Sequence, residues 1–184
     1  MNEEVEIKVF VKNPEEVENN LKKAAKFIKE KEQKDDYFTP AHEDFFGIKH
    51  PVEYLRVRQE AGKSAIEYMF LHFDKDGRLL KTDEYDTKVE DPKMMMTIMK
   101  KLDMKHKVTV TKTRKTYEYG DFEVVIDYIK ELGYFIEVEA KKAGDIRETK
   151  KRCYEILGEI GADWEETPNM GYPLMILEKS GDKK

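Results

Sequence analysis

Apolar and polar side chains alternate along the start of the chain, as they do in a strand with one face in a core. Every second residue of segment 5–11 is apolar, which places four side chains together: Val5, Ile7, Val9 and Val11. The charged residues Glu4, Glu6 and Lys8 fall on the other face. Glu4 and Glu6 are adjacent like charges on this face, which indicates that it faces water or a group of opposite charge and not the core.

Three segments have the repeat of an amphipathic helix. The first spans residues 13–36, with Asn13 as N-cap, Pro14 in the first turn, and a stripe formed by Val17, Leu21, Ala24 and Ile28. The second begins at Asp91-Pro92 and carries a run of methionines, which we interpret as core packing because Met fills irregular gaps. The third spans roughly residues 145–160, with an apolar side formed by Ile146, Cys153, Ile156, Leu157 and Ile160.

Period-two alternation returns between these helices. Residues 53–61 form one predicted strand, residues 64–91 a hairpin turning at Asp76-Gly77, and residues 106–142 three further strands. The final segment, residues 169–180, is expected to close the sheet or to pack over it. Mostly strands with interspersed helices predict an α+β fold with an antiparallel sheet, as one domain over residues 1–184.

Composition narrows the class of function. Charged residues make up 40% of the 184 residues, well above the usual share of about a quarter. The net charge of −5 argues against a nucleic-acid partner, and no apolar run approaches the roughly 18 residues of a membrane span. Cys153 has no second cysteine to pair with, and no signal peptide precedes the first strand. We therefore expect a cytoplasmic protein without a membrane partner.

The charged strand faces repeat one arrangement, in which two like charges lie two residues apart. The acidic pairs are Glu4/Glu6, Glu84/Asp86 and Glu137/Glu139, and the basic pairs are Arg56/Arg58 and Lys112/Arg114. A solvated sheet face is one interpretation, although a face that served only solubility would alternate its signs. Clustered carboxylates suit Mg²⁺ or Mn²⁺, and clustered Arg and Lys suit phosphate oxygens. The pattern indicates a site for a phosphate chain with its divalent cation.

Residues 4–8, EVEIK, resemble the ExExK signature of the CYTH superfamily, the triphosphate tunnel metalloenzymes. That group includes class IV adenylyl cyclases, thiamine triphosphatases and inorganic triphosphatases. Further segments resemble family motifs in the same order: DDYFTP (35–40), LRVRQ (55–59), DEYDTKVED (83–91), VTKTRKTY (110–117) and IDYIKELGYFIEVEA (126–140). The resemblance implies an eight-stranded antiparallel barrel, with peripheral helices, whose polar faces line a triphosphate tunnel.

The resemblance also implies roles for single residues. The metal group, for Mg²⁺ or Mn²⁺, would be Glu4, Glu6, Asp127, Glu137 and Glu139. The triphosphate would be held by Lys8, Arg56, Arg58, Lys112 and Arg114. Lys8 and Tyr37 match the lysine and tyrosine that help to activate the attacking water in the triphosphatases, and a homodimer is expected from the family. The small-molecule partner is therefore expected to be a triphosphate.

The sequence departs from the family pattern at three places, one of which is Glu43-Asp44-Phe45, where class IV cyclases often have an arginine before Asp-Phe. His72 stands near the position of a usual lysine, and Thr82 or Lys81 stands where an arginine usually begins the strand of Glu84. His72, Glu84 and Asp86 are additional candidates for the tunnel. Hydrolysis of inorganic tripolyphosphate, thiamine triphosphate or a nucleoside triphosphate is the favoured function. Cyclisation of ATP to cyclic AMP, binding without turnover and a scaffold with a solvated charged face stay open.

Overall fold

The computed structural model describes residues 2–47, 51–77, 79–142, 144–168 and 170–181. Within these ranges the elements are β1 (Asn2–Glu4), β2 (Glu6–Val11), α1 (Pro14–Ala24), β3 (Lys26–Thr39), β4 (Glu53–Glu60), β5 (Lys63–Phe73), β6 (Leu79–Lys88), α2 (Pro92–Lys101), β7 (Lys105–Tyr119), β8 (Phe122–Ile129), β9 (Gly133–Ala140), α3 (Ile146–Glu159), β10 (Trp164–Glu166) and α4 (Tyr172–Ser180). Eight of the strands so described are six residues or longer. The predicted α+β class is confirmed.

The chain forms two compact units. The first unit comprises the described residues among 1–2, 32–111 and 169–184, and the second those among 3–31 and 112–168. The chain passes from one unit to the other at residues 2–3, 31–32, 111–112 and 168–169. The single domain expected over residues 1–184 stays a prediction.

The sheet of the first unit has the order β6-β5-β4-β3, with every neighbouring pair antiparallel. One of its faces packs on helix α2 through Phe38, Val57 and Met99, together with the partly buried Met95 and Met96. The methionine run is therefore core, as its sequence predicted. Asp91 caps α2, since its side chain accepts a hydrogen bond from the Met94 amide.

The sheet of the second unit has the order β7-β8-β9-β2-β10, and its described ladders are antiparallel. One face carries the core, in which strand residues meet the helices α1 and α3. This core contains Ile7, Val9, Val11, Val17, Leu21, Tyr117, Val124, Ile126, Ile136, Val138, Cys153, Ile156, Leu157 and Ile160. The apolar side predicted for the third helix is confirmed at four of these positions, from Cys153 to Ile160.

The expected helix over residues 13–36 is wrong beyond Ala24. Helix α1 ends there because Ala25 is extended, with φ −132° and ψ 160°, and β3 begins at Lys26. Ile28, which was expected in the buried stripe, is 41% exposed. Lys and Glu dominate this segment and favour helix weakly, so the ladder that residues Gln33–Phe38 form with β4 decides the structure.

The hairpin of β5 and β6 turns where its sequence predicted. The Gly77 amide donates to the carbonyl oxygen of Asp74, and Gly77 has φ +76°, a conformation that glycine adopts without strain. The final segment forms a fourth helix, α4, which buries Tyr172, Pro173, Leu174 and Leu177. Among the described residues it adds one helix to the three predicted. Across the described residues, no helix has the length and apolar character that a membrane crossing requires.

Candidate functional site

In the first unit, strands β3 to β6 bring several charged side chains together on the face opposite α2. The register sets Tyr37 beside Arg56, Asp35 beside Arg58, and Arg56 beside Glu67. Residues two apart on one strand share a face, so Arg56 and Arg58 lie together. Asp35 is 1% exposed, Glu67 8% and Arg56 9%. A solvated sheet face is wrong for these residues, because buried charges require partners.

Each of the two arginines on this face forms an ion pair with a carboxylate. Arg58 binds Asp35 in a fork, with Nε–Oδ1 at 2.7 Å and Nη2–Oδ2 at 2.8 Å. Arg56 binds Glu67 Oε2 through Nε at 2.7 Å and Nη2 at 2.5 Å. Each carboxylate also lies 3.5 Å from a nitrogen of the other arginine. Below, these residues and Glu84 are called the arginine cluster: Asp35, Arg56, Arg58, Glu67 and Glu84.

Tyr37 joins the arginine cluster to a group of aromatic rings. Arg56 Nη1 donates to the Tyr37 hydroxyl at 3.1 Å, and the Tyr37 ring lies edge-on to Phe46 and Tyr54. Burial raises the pKa of Tyr37, and this outweighs the opposing charge of Arg56. The phenol is therefore protonated near neutral pH, where it can donate a hydrogen bond but cannot act as a base.

Glu84 and Asp86 lie on the same face, whereas His72 does not. Asp86 is the register partner of Glu67 and Glu84 that of Met69. Burial raises the pKa of Glu84, with the nearby Glu67 carboxylate acting in the same direction. His72 is an odd number of residues from Glu67, so it points to the opposite face.

The structure therefore does not place His72, an additional candidate for the tunnel, on the face of Arg56 and Glu67. Its Nε2 lies 2.7 Å from Asp83 Oδ2. On the charged face, the residue of β5 that follows Glu67 is Met69, which is 6% exposed. Strand alternation explains the position of His72, because a shift of one residue along a strand moves a side chain to the other face of the sheet.

In the second unit, a buried network centres on Asp127, which is fully buried. Asp127 accepts hydrogen bonds from Lys112 Nζ at 3.1 Å, Arg114 Nε at 2.7 Å and Arg114 Nη2 at 2.5 Å. Arg114 Nη2 also donates to Glu137 Oε2. Burial alone would raise the pKa of Asp127, but Lys112 and Arg114 hold it well below its usual range. Asp127 and Glu137, both expected as metal ligands, are thus ion-paired with residues expected to bind phosphate.

The strand register of this unit also assembles a row of glutamates. Glu6 lies opposite Glu139, Glu139 opposite Glu123, and Glu123 opposite Glu118. In the next row Lys8 lies opposite Glu137. Burial alone would raise the pKa of the Glu137 carboxyl, but the charge of Arg114 above all, with those of Lys112 and Lys8, lowers it. Directly opposed like charges are unfavourable in a sheet unless a cation screens them. The glutamate row therefore suits a cation.

The residues expected to bind metal are only partly assembled. The backbone of Glu4 is in β1, and its side chain lies outside the described part of the structure. Among the described side chains, no group of three or more His, Cys, Asp or Glu residues is arranged to hold a metal ion. The donor chemistry of Glu6 and Glu139 nevertheless fits Mg²⁺ or Mn²⁺, since both ions prefer carboxylate oxygens.

The candidates named from the sequence lacked four residues of these clusters: Asp35, Glu67, Glu118 and Glu123. Asp35 precedes Tyr37 by two residues in DDYFTP, so alternation alone would have placed it beside that tyrosine. Glu67 is a lone acid in an apolar strand, and Glu123 is separated from the other glutamates along the chain. Only the register that joins β5 to β4 and β8 to β9 brings them to their partners.

Comparisons with known proteins identify the family to which most of the chain is similar. The family model for the CYTH domain matches residues 2–163. A protein of Methanocaldococcus jannaschii that carries the name of an adenylate cyclase is 38% identical over 155 residues, which cover 84% of this chain and 85% of that protein.

Solved structures share the fold over nearly the whole chain. A Pyrococcus horikoshii protein is 26% identical, with a TM-score of 0.78 over 94% of this chain and 99% of that one. An adenylyl cyclase-type protein from Hippeastrum, described with a dominant triphosphatase activity, is 16% identical, with a TM-score of 0.70 over 98% and 96% of the two chains. The second similarity concerns the fold alone.

Proposed function

The chain belongs to the CYTH domain family, and from this premise we propose that it hydrolyses a triphosphate-bearing substrate in the presence of Mg²⁺ or Mn²⁺. One observation carries the proposal: the register sets Glu6 opposite Glu139 and, in the next row, Lys8 opposite Glu137. Paired carboxylates beside a row that contains a cation suit a metal-bound phosphate chain. Glu4, whose side chain is outside the described residues, would extend the acidic row.

The basic residues of this chain would neutralise and align the phosphates. Phosphoryl transfer depends on fixed positive charge around the transferred group and on alignment of the attacking oxygen. In the proposal Arg56 and Arg58 supply that charge in the first unit, and Lys8, Lys112 and Arg114 supply it in the second. Their existing carboxylate partners hold the guanidiniums in fixed positions, at distances of about 2.5–2.8 Å.

Glu6 and Glu139 are the residues that would hold the divalent cation. Bound there, the cation would neutralise charge that develops on the phosphate oxygens. Asp127 and Glu137 are assigned a different part, because each is engaged by Arg114. Asp127 and Glu137 hold the side chains of Lys112 and Arg114 in place for the phosphate.

Lys8 of the second unit and Tyr37 of the first are each proposed to act as a hydrogen-bond donor in catalysis. Tyr37 acts by donating a hydrogen bond, since burial raises its pKa and keeps the hydroxyl protonated. Lys8 likewise acts as a hydrogen-bond donor and as a positive charge near the scissile phosphate. As the water oxygen bonds to the terminal phosphorus, the bond from that phosphorus to the bridging oxygen breaks. The water gives its proton to solvent, and the leaving phosphate takes a proton from solvent.

The test is phosphate release from tripolyphosphate, thiamine triphosphate and ATP, each with Mg²⁺, with Mn²⁺ and with EDTA. We expect release that requires metal and falls at least about a hundredfold in Glu6→Gln. Glu165→Gln, an exposed carboxylate of the same unit, is the matched control and is expected to behave as wild type. Metal-independent release, or equal rates in Glu6→Gln and wild type, would contradict the proposal.

Cyclisation of ATP is a second candidate, favoured by the name of the M. jannaschii relative, which is 38% identical. The same ATP samples distinguish the two reactions. Hydrolysis releases inorganic phosphate from ATP, whereas cyclisation yields cyclic AMP and pyrophosphate. Tripolyphosphate that raises the melting temperature while every substrate stays intact would instead indicate binding without turnover.

A further inference from the structure

The arginine cluster contains its own substitute for a phosphate. Glu67 Oε2 lies 2.7 Å from Arg56 Nε, 2.5 Å from Arg56 Nη2 and 3.5 Å from Arg58 Nη1. One carboxylate oxygen thus approaches both guanidiniums, which a phosphate oxygen would also do. Glu67 and Arg56 are 8% and 9% exposed, so solvent screens this interaction weakly.

Glu67 is easier to displace than Asp35. Asp35 binds Arg58 in a two-bond fork and is 1% exposed. Glu67 binds the arginines through a single oxygen in the contacts above, and it lies opposite Asp86. Glu84 is also near, since burial and then the charge of Glu67 raise the pKa of Glu84. Like charges next to Glu67 weaken its hold on the arginines, whereas Asp35 anchors Arg58 in the fold.

We propose that Glu67 is a specificity-determining residue, which blocks the arginines against a bare polyanion and yields them only to a triphosphate that arrives with its divalent cation. This inference rests on the proposed function. A bare triphosphate would meet the displaced carboxylate together with Glu84 and Asp86, and like-charge contacts oppose its binding. A cation bound with the phosphate offsets those charges. Glu67 therefore couples the affinity for phosphate to the presence of metal.

The test is calorimetric binding of tripolyphosphate to the full chain, in EDTA and in Mg²⁺. In EDTA, Glu67→Gln is expected to bind at least about tenfold more tightly than wild type, and its gain in affinity from Mg²⁺ is expected to shrink by a similar factor. Glu67→Asp keeps the charge and is expected to stay within about threefold of wild type. Asp83→Asn, on the opposite face of β6, is the matched control with unchanged binding.

Far-UV circular dichroism and melting temperature establish that each variant is folded. Glu67→Thr, a smaller neutral side chain suited to a strand, provides the same comparison if the Gln variant does not fold. Equal or weaker binding of the neutral variant in EDTA would overturn the inference. The same conclusion would follow if Asp83→Asn gained as much affinity, because the effect would then be general electrostatics.

The outcomes separate this inference from the proposed function. If wild type hydrolyses tripolyphosphate but Glu67→Gln binds it no better, the inference fails and the function stands. If wild type releases no phosphate from any substrate while Glu67→Gln still binds tripolyphosphate more tightly, the function fails and the inference stands. If neither protein binds tripolyphosphate with or without Mg²⁺, both are wrong.

Discussion

Replacing Asp127 by asparagine should destabilise the second unit more than any exposed substitution in it. Asp127 is fully buried and accepts three hydrogen bonds, one from Lys112 and two from Arg114. The amide of the variant would keep one acceptor oxygen but remove the charge, leaving two cations facing a neutral group in a buried place. Breaking a buried ion pair from one side costs about 3–5 kcal/mol. We expect about 3 kcal/mol, because the amide oxygen still accepts a hydrogen bond.

Urea unfolding of wild type and Asp127→Asn at pH 7 measures this free-energy difference from the two midpoints and slopes. The control is Glu165→Gln, which removes one partner of the exposed ion pair between Lys12 and Glu165. That pair has a nitrogen–oxygen distance of 2.5 Å, but its side chains are 46% and 61% exposed. We expect no measurable change of midpoint in the control, because solvent screens an exposed pair.

The dependence on pH provides a second arm. The pKa of Asp127 is lower in the folded than in the unfolded protein, since Lys112 and Arg114 outweigh the effect of burial. Its stabilisation is therefore fully present above the unfolded value of about 3.9 and is lost as the pH falls further. The difference between wild type and Asp127→Asn should shrink below about pH 4. A difference under about 1 kcal/mol at pH 7, or one that stays constant down to about pH 3, would refute this account.

Three further substitutions test other parts of the chain. Tyr37→Phe removes the hydroxyl that accepts a hydrogen bond from Arg56. We expect at least about a tenfold loss of kcat for phosphate release and a loss of about 1–2 kcal/mol in the free energy of unfolding by urea. An unchanged kcat would exclude the role assigned to Tyr37. His72→Ala should keep kcat/KM within about twofold of wild type, because its side chain lies on the other face, and a larger loss would place it back among the site residues. Asp91→Ala should lower stability by about 1 kcal/mol without altering activity, since only the cap on the Met94 amide is lost, and an unchanged urea midpoint would mean that this cap contributes nothing.

The local pattern of the sequence was enough to place side chains on strand faces. Alternation predicted that Arg56 and Arg58 share a face and that Glu137 and Glu139 do likewise, and the ladders agree. It was also enough for the turn at Gly77 and for the capped start of α2. These features depend on a few neighbouring residues, so they can be derived without the fold.

Features decided by distant partners could not be derived in this way. The segment from Lys26 onward has the composition of an exposed helix, and it becomes a strand because residues 33–38 pair with β4. Glu67 carries no local signal for its contact with Arg56, which depends on the register between β4 and β5. The face on which His72 lies depends likewise on its exact position in β5, because a shift of one residue moves a side chain to the other face.

The register also separates two uses of like charges that the sequence pattern cannot distinguish. Glu137 and Asp127 lie beside Arg114, so each carboxylate is balanced by a residue of the chain. Glu6 and Glu139 lie opposite each other, and the next residue along that row is Glu123. Opposed carboxylates raise the free energy of a sheet unless positive charge reaches them. A divalent cation that arrives with the phosphate, as proposed above, would lower the repulsion between Glu6 and Glu139, whereas Asp127 and Glu137 bind Arg114.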